Sequence, residues 1–333
     1  MKLSLSIATW KYDKSWVYSI TYDEALVELD QYVIPNHLEF GIPGHVEVVA
    51  GHMGKIRELG QSSFNGFHHR SGEELRELID MGWGVGCHSW SHGMVMDDYE
   101  RELLKSKETI EEAIGKPVTI YTAPGSNANM TDDILAKARE YGYLGAFGIS
   151  DNINYPDSDD LLWMNRVALH ELFSSTFHSV YDPYKRIRQA QENHGWIADY
   201  CHCPLPVPLH MYKDCTADHH RERFATITAE GKAECWYANP DDVVDYRYMR
   251  HHSHLEEEHP GKYRVRIDSL PEQVQLHHLT FRVEGNCVPE ALNVHVDGIP
   301  VQAVPSYGGA AAFTAPVHDG TTILVKTGVW RPL

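Results

Sequence analysis

From residue 15 to residue 147 the chain repeats one pattern: a short β-branched or aromatic run, then a stretch whose apolar residues recur at helical spacing, then another run. Residues 15–22 predict a strand, and Leu26, Leu29, Tyr32 and Val33 a helix ending before Pro35. Residues 45–51 predict the next strand. Ser71 with Glu74 three residues on forms a capping box ahead of Leu75, Leu78 and Ile79, and Gly82 stops that helix. Strand-like runs follow at 83–87, 118–122, 143–147 and 195–200. Between them, helices are expected over 98–114, stopped by Gly115 and Pro117, and from Thr131 to Gly142. Such alternation restricts the fold to α/β, with parallel strands and crossover helices. Parallel strands share a direction, so the residues that follow them gather on one face of the sheet or barrel.

Chemistry-bearing residues stand at just those strand ends: Asp23-Glu24, His88, Pro124-Gly125 and Cys201-His202. His88 and His92 lie four apart, a spacing that on a helical turn puts both imidazoles on one face, where they could share a metal ion. Zinc needs at least one further protein ligand and a water, and the acidic pair an earlier strand supplies offers it. Plainer readings stand beside this one. His88 and His92 could be satisfied structural histidines, Asp23 a helix N-cap, and Pro124-Gly125 a turn. Cys201-His202-Cys203 with Cys215 or His219 could hold a structural zinc. Tyr22 and Trp90 are core residues or sugar-stacking platforms. Among 22 histidines, the groups His68-His69, His219-His220 and His251-His252-His254 are expected to be solvated.

A formal charge of −18 argues against nucleic acid as partner. The mean hydropathy of −0.40, without a long apolar run, argues against membrane spans. The six cysteines (Cys87, Cys201, Cys203, Cys215, Cys235, Cys287) form no disulfide framework. With a start too quickly polar for a signal peptide, the expected location is cytoplasmic. Past residue 252 the texture changes. Residues 253–261 read as a polar linker, and 262–333 as a small antiparallel, sandwich-like β-domain with hairpin signals at Asp297-Gly298 and Asp319-Gly320. The expected division is thus 1–252, 253–261 and 262–333.

The order of motifs resembles the polysaccharide deacetylase (NodB-like, carbohydrate esterase 4) superfamily. Thr21-Tyr22-Asp23-Glu24 is similar to its Thr-Phe-Asp-Asp motif and His88-Ser89-Trp90-Ser91-His92 to its His-(Ser/Thr)-x-x-His motif. More weakly, Tyr121-Thr122-Ala123-Pro124-Gly125 falls where that family has Arg-x-Pro-Tyr, and Tyr200-Cys201-His202 where it has Leu-x-His. The resemblance implies a distorted (β/α) barrel of the NodB type and removal of N- or O-acetyl groups from a carbohydrate. It implies Asp23 as catalytic base and His202 as catalytic acid. Glu24, His88 and His92 are then the ligands of Zn²⁺ or another divalent transition metal. The partner is then an acetylated carbohydrate substrate, with homo-oligomerisation left open. Two departures stand out. Glu24 replaces an Asp, and Thr122 occupies the position of the arginine that orients the base, a role for which Arg166 is the candidate substitute. The rival readings are an amidohydrolase or deformylase acting on a small amide with the same site, and a catalytically degenerate carbohydrate-binding protein.

Overall fold

Aromatic and β-branched residues build Trp16–Asp23 (β1), in which every residue is buried. The computed structural model describes residues 3–58, 64–158, 160–169, 182–209, 214–285 and 288–327. It divides into two units, Trp16–Asp241 and a second made of Met1–Ser15 with Asp242–Leu333.

In the first unit β1 is followed by His45–Val48 (β2), Gly84–Cys87 (β3), Ile120–Thr122 (β4), Gly145–Ile149 (β5), Met164–Ala168 (β6), Trp196–Cys201 (β7) and Cys235–Tyr237 (β8). Each strand from β2 to β6 pairs in parallel with the next, β7 pairs with β1, and β1 pairs back with β2. Seven parallel strands therefore close into the expected (β/α) barrel, and β8 attaches beside the start of β1. The alternation dictates this, because each crossover helix covers the apolar outer face of the strands it joins.

The barrel lining is polar on one side, and glycines make room for it. His45 and Glu47, both fully buried, face Gly84 and Gly86 across the parallel register. His45 Nδ1 meets Glu47 Oε1 at 2.9 Å and His45 Nε2 meets Asp241 at 3.5 Å. A methyl group on Gly86 would overlap the Glu47 carboxylate. Gly86→Ala is accordingly expected to lower stability by about 1–3 kcal/mol, read from urea unfolding.

Local signals hold in detail. Ser71 Oγ accepts from the Glu74 amide while Glu74 accepts from the Ser71 amide at 2.7 Å, capping the helix Gly72–Asp80. A short helix, Leu29–Tyr32, ends before Pro35 as expected, and Pro35 then sits in the first turn of a second helix, Ile34–Phe40, where its missing N–H removes no bond. The helix expected over 98–114 begins as a wider π turn, Glu100–Lys105, and continues as Ser106–Ile114.

Several histidines expected in solvent are core groups. His220 is fully buried in a chain in which Asn36 donates to His220 Nδ1, His220 to the Tyr22 hydroxyl, Tyr22 to His37 and His37 to the Ile42 carbonyl. Tyr22 is thereby a core residue rather than a sugar platform, and burial pushes His37 down to about 3.

The second unit holds two antiparallel sheets. One runs Ser4–Ile7, His278–Glu284, Ala311–Pro316, Val304–Pro305; the other Ser253–His259, Lys262–Ile267, Thr322–Thr327, Leu292–Val296, Ile299–Val301. Buried residues alternate along several of them, as in Tyr263 and Val265 or Ile323 and Val325. The expected linker 253–261 is instead an edge strand and its turn, and its charges suit a strand with one edge in water. Asp297-Gly298, both at positive φ, closes a two-residue hairpin as expected. Asp319-Gly320 lies between strands of different sheets rather than in a hairpin. Cys287 lies outside the described residues. Among those described, no helix is long and apolar enough to cross a membrane.

Candidate active site

Strand direction brings the expected residues together. Asp23 ends β1, Glu24 follows it, His88 follows β3, and His202 follows β7. His88 Nε2 lies 3.8 Å and His202 Nε2 3.9 Å from Asp23 Oδ2, and His92 Nε2 lies 3.8 Å from Glu24 Oε1. The rings of His88 and His92 are 5.0 Å apart.

The backbone at this site is strained where the functional side chains leave it. Glu24, Ala25, Ser89 and His92 all stand in the left-handed region, at φ of 76°, 50°, 65° and 59°. For non-glycine residues this costs roughly 1–2 kcal/mol each. Such strain persists only where surrounding contacts enforce it. At His88–His92 the enforcer is Glu102, which accepts from the amides of Trp90 and Ser91 at 3.0 and 2.9 Å and from Ser91 Oγ at 2.8 Å. The two histidines therefore share a face through a pinned loop, not through the helical turn that their spacing suggests. At Glu24 the left-handed turn is held by its own carbonyl, which accepts from His69 Nδ1 at 2.9 Å.

Asp23 is gripped by Arg166 from β6. Nη2 donates to Oδ2 at 2.9 Å, Nη1 to Oδ1, and Nη1 reaches Thr21 Oγ1 at 3.3 Å. The guanidinium lies over the Tyr200 ring at 4.3 Å. Burial pushes the Asp23 carboxyl up, but Arg166, then His88 and His202, outweigh it and hold the group well below the ordinary carboxylate range. Arg166 thus supplies the cation absent at Thr122, whose carbonyl instead accepts from His88 Nδ1 at 2.9 Å.

That bond fixes the tautomer of His88. With its proton on Nδ1, the ring presents a lone pair at Nε2, which is buried and has no hydrogen-bond partner among the described residues. Burial lowers His88 to about 3, so the ring is neutral at physiological pH. His92 is likewise lowered, mainly by burial. Neutral imidazoles opposite two carboxylates are, in donor chemistry, the set a divalent cation takes. His202 stacks on Phe64 at 5.2 Å, and Asp214 lies 3.5 Å from its Nδ1 and accepts from its backbone amide at 2.7 Å.

Three further groups, Arg57, His52 and His69, crowd the other side of Glu24. Arg57 pairs with Oε2, and His69 Nε2 lies 3.8 Å from the same oxygen. Ligand atoms of Glu24, His52 and His69 all lie within 4.8 Å of one another, and this is the three-residue cluster that spacing picks out among the described residues. Glu24, His88 and His92 do not meet that mutual spacing, and neither do the cysteines around His202. His69, expected in solvent, is buried. No motif signalled it, because its position depends on distant backbone bonds, its own amide to the Lys55 carbonyl and its neighbours' bonds with Ala25 and Val27.

Comparison with known proteins agrees with the motifs. The family model for polysaccharide deacetylase matches residues 12–146. A peptidoglycan deacetylase from Helicobacter pylori is 37% identical over 70 residues, which cover 20% of this chain and 24% of that protein. This match spans about a quarter of that relative's length. Among solved structures, the Streptococcus pyogenes deacetylase PplD is 15% identical, with 44% of this chain and 62% of that one covered at a TM-score of 0.37. The peptidoglycan deacetylase PdaC from Bacillus subtilis is 13% identical, with 71% and 93% covered at 0.40. The resemblance to polysaccharide deacetylases, expected from Asp23-Glu24 and His88-x-x-x-His92, is borne out.

Proposed function

We propose that this chain, whose residues 12–146 carry the polysaccharide deacetylase match, is a metal-dependent carbohydrate deacetylase. The carrying observation is the convergence of Asp23, Glu24, His88, His92 and His202 at the carboxyl ends of three barrel strands, with Arg166 clamped on Asp23. Glu24, His88 and His92 would hold the ion. A divalent ion, when bound, supplies a water whose pKa falls to roughly 7 and a positive charge for the developing oxyanion.

Asp23 serves as the base. A carboxylate held so low is a weak proton acceptor and acts only on an acidified water, so its environment and the cation support each other. Arg166 fixes the carboxylate orientation through two parallel bonds. His202, whose Nε2 lies 3.9 Å from Asp23 Oδ2, donates a proton to the departing amine or alcohol. Asp214 and Phe64 hold its ring in place. Without that proton an amine leaves poorly, so the donor matters most for N-acetyl substrates.

The test is acetate release from peptidoglycan strands, N-acetylglucosamine oligomers and acetylated xylan. Peptidoglycan comes first because the Helicobacter pylori relative is a peptidoglycan deacetylase. His202→Gln is expected to lower kcat by about 10²–10⁴-fold, the range for losing a positioned general acid. Activity on simple amides without acetate release from any glycan would favour an amidohydrolase. Glycan binding without turnover would favour a binding protein.

A further inference from the structure

The geometry points to a second metal site, formed by Glu24, His52 and His69 on the side of Glu24 away from His88 and His92. Its construction follows the rules of a ligand set. His69 Nδ1 donates to the Glu24 carbonyl at 2.9 Å, so Nε2 must carry the lone pair, and Nε2 is buried without a hydrogen-bond partner among the described residues. Nδ1 of His52 is likewise buried and unpartnered there, and the two rings lie 5.1 Å apart. Burial lowers both imidazoles, His52 to about 4, so both are neutral donors at physiological pH.

Bonds of 2.0–2.1 Å in a tetrahedral site place neighbouring ligand atoms roughly 3.3–3.5 Å apart. The 3.8 Å between His69 Nε2 and Glu24 Oε2 nearly meets this, and the 4.8 Å limit for the full set closes with small side-chain rotations. A cleft of about 300 Å³, lined by His52, His69, Lys55 and Arg57 among others, gives an ion and its waters access. The two oxygens of Glu24 face different histidines, Oε1 toward His92 and Oε2 toward His69, so one carboxylate serves both sites. Arg57 now neutralises Oε2. A dication at the second site takes over that role and displaces the guanidinium, which makes Arg57 a competitor for the site.

The site does not depend on the deacetylase reading, and metal stoichiometry separates the two. Protein loaded with Zn²⁺ and desalted is expected to hold two ions per chain by elemental analysis. His52→Ala/His69→Ala and His88→Ala/His92→Ala are each expected to hold one. Titration with Co²⁺, followed by its visible absorption, is expected to show tighter binding of one ion, by tenfold or more, in Arg57→Gln. Thermal melts in chelator establish that each variant folds, and the single His52→Ala serves if the double does not. A wild type with one ion, lost in the His88/His92 variant and kept in the His52/His69 variant, overturns the second site and leaves the deacetylase reading intact. One ion lost only with His52 and His69 supports the site proposed here and removes the metal from His88 and His92. Two ions undiminished in His52→Ala/His69→Ala also overturn the proposal.

Discussion

Asp23→Asn is expected to lower kcat/KM for acetate release by about 10²–10⁴-fold, the range for losing a positioned general base. The substitution also leaves Arg166 as a buried cation without its partner, since Arg166 and Asp23 are 1% and 4% exposed. Breaking such a pair costs about 3–5 kcal/mol. The fall in activity must therefore be separated from a fall in stability. Removing both charges does this, because a buried pair can be replaced by apolar groups with little net loss. Asp23→Asn/Arg166→Met is expected to regain most of the stability seen by urea unfolding and none of the activity. Recovery of turnover in the double variant would show that Asp23 is a structural counter-ion. Arg166→Met alone removes the main charge opposing burial at Asp23, so that carboxyl rises. The acid limb of the pH–rate profile should move to higher pH while some turnover persists.

The second large effect is on stability. Burial alone would lower His45, but Glu47 and then Asp241 outweigh it and raise the imidazole to about 10. In the unfolded chain a histidine titrates near 6.5. The folded state therefore binds more protons across the interval between roughly 6.5 and 10. The stabilisation is complete below the lower value and is lost as pH rises through the upper one. Glu47→Gln is expected to cost about 3–5 kcal/mol at neutral pH and to flatten that decline. Buried thiols such as Cys87, raised by burial, add to the loss of stability above pH ~8.5 in both proteins. The quantity to read is thus the difference between wild type and variant in urea unfolding from pH 6 to 10. An undiminished slope in the variant would assign the pH dependence to other groups.

What the chain declares locally, it declares well. The capping box at Ser71, the helix stop at Gly115 and the hairpin at Asp297-Gly298 each arise from contacts spanning a few residues, and each is found. The parallel barrel also follows from the order of elements alone, because crossover connections leave few ways to arrange them. Direction within a parallel sheet then carries Asp23, Glu24, His88 and His202 to one end before any distance is known. Those features were decided by sequence.

Tertiary structure decided the rest, wherever an energy belongs to residues far apart in the chain. The clamp on Asp23 comes from Arg166, 143 positions away, and no spacing rule joins the two. His69 and His220 resemble exposed histidines in a polar context, yet both are buried, held by bonds to residues far off in the chain. The strand Ser4–Ile7 pairs with His278–Glu284, and Ser253–His259 pairs despite its charge, because a sheet edge satisfies backbone groups whatever the side chains are. Periodicity and caps report what a segment prefers by itself. Burial of a charge depends on which opposite charge the fold delivers beside it.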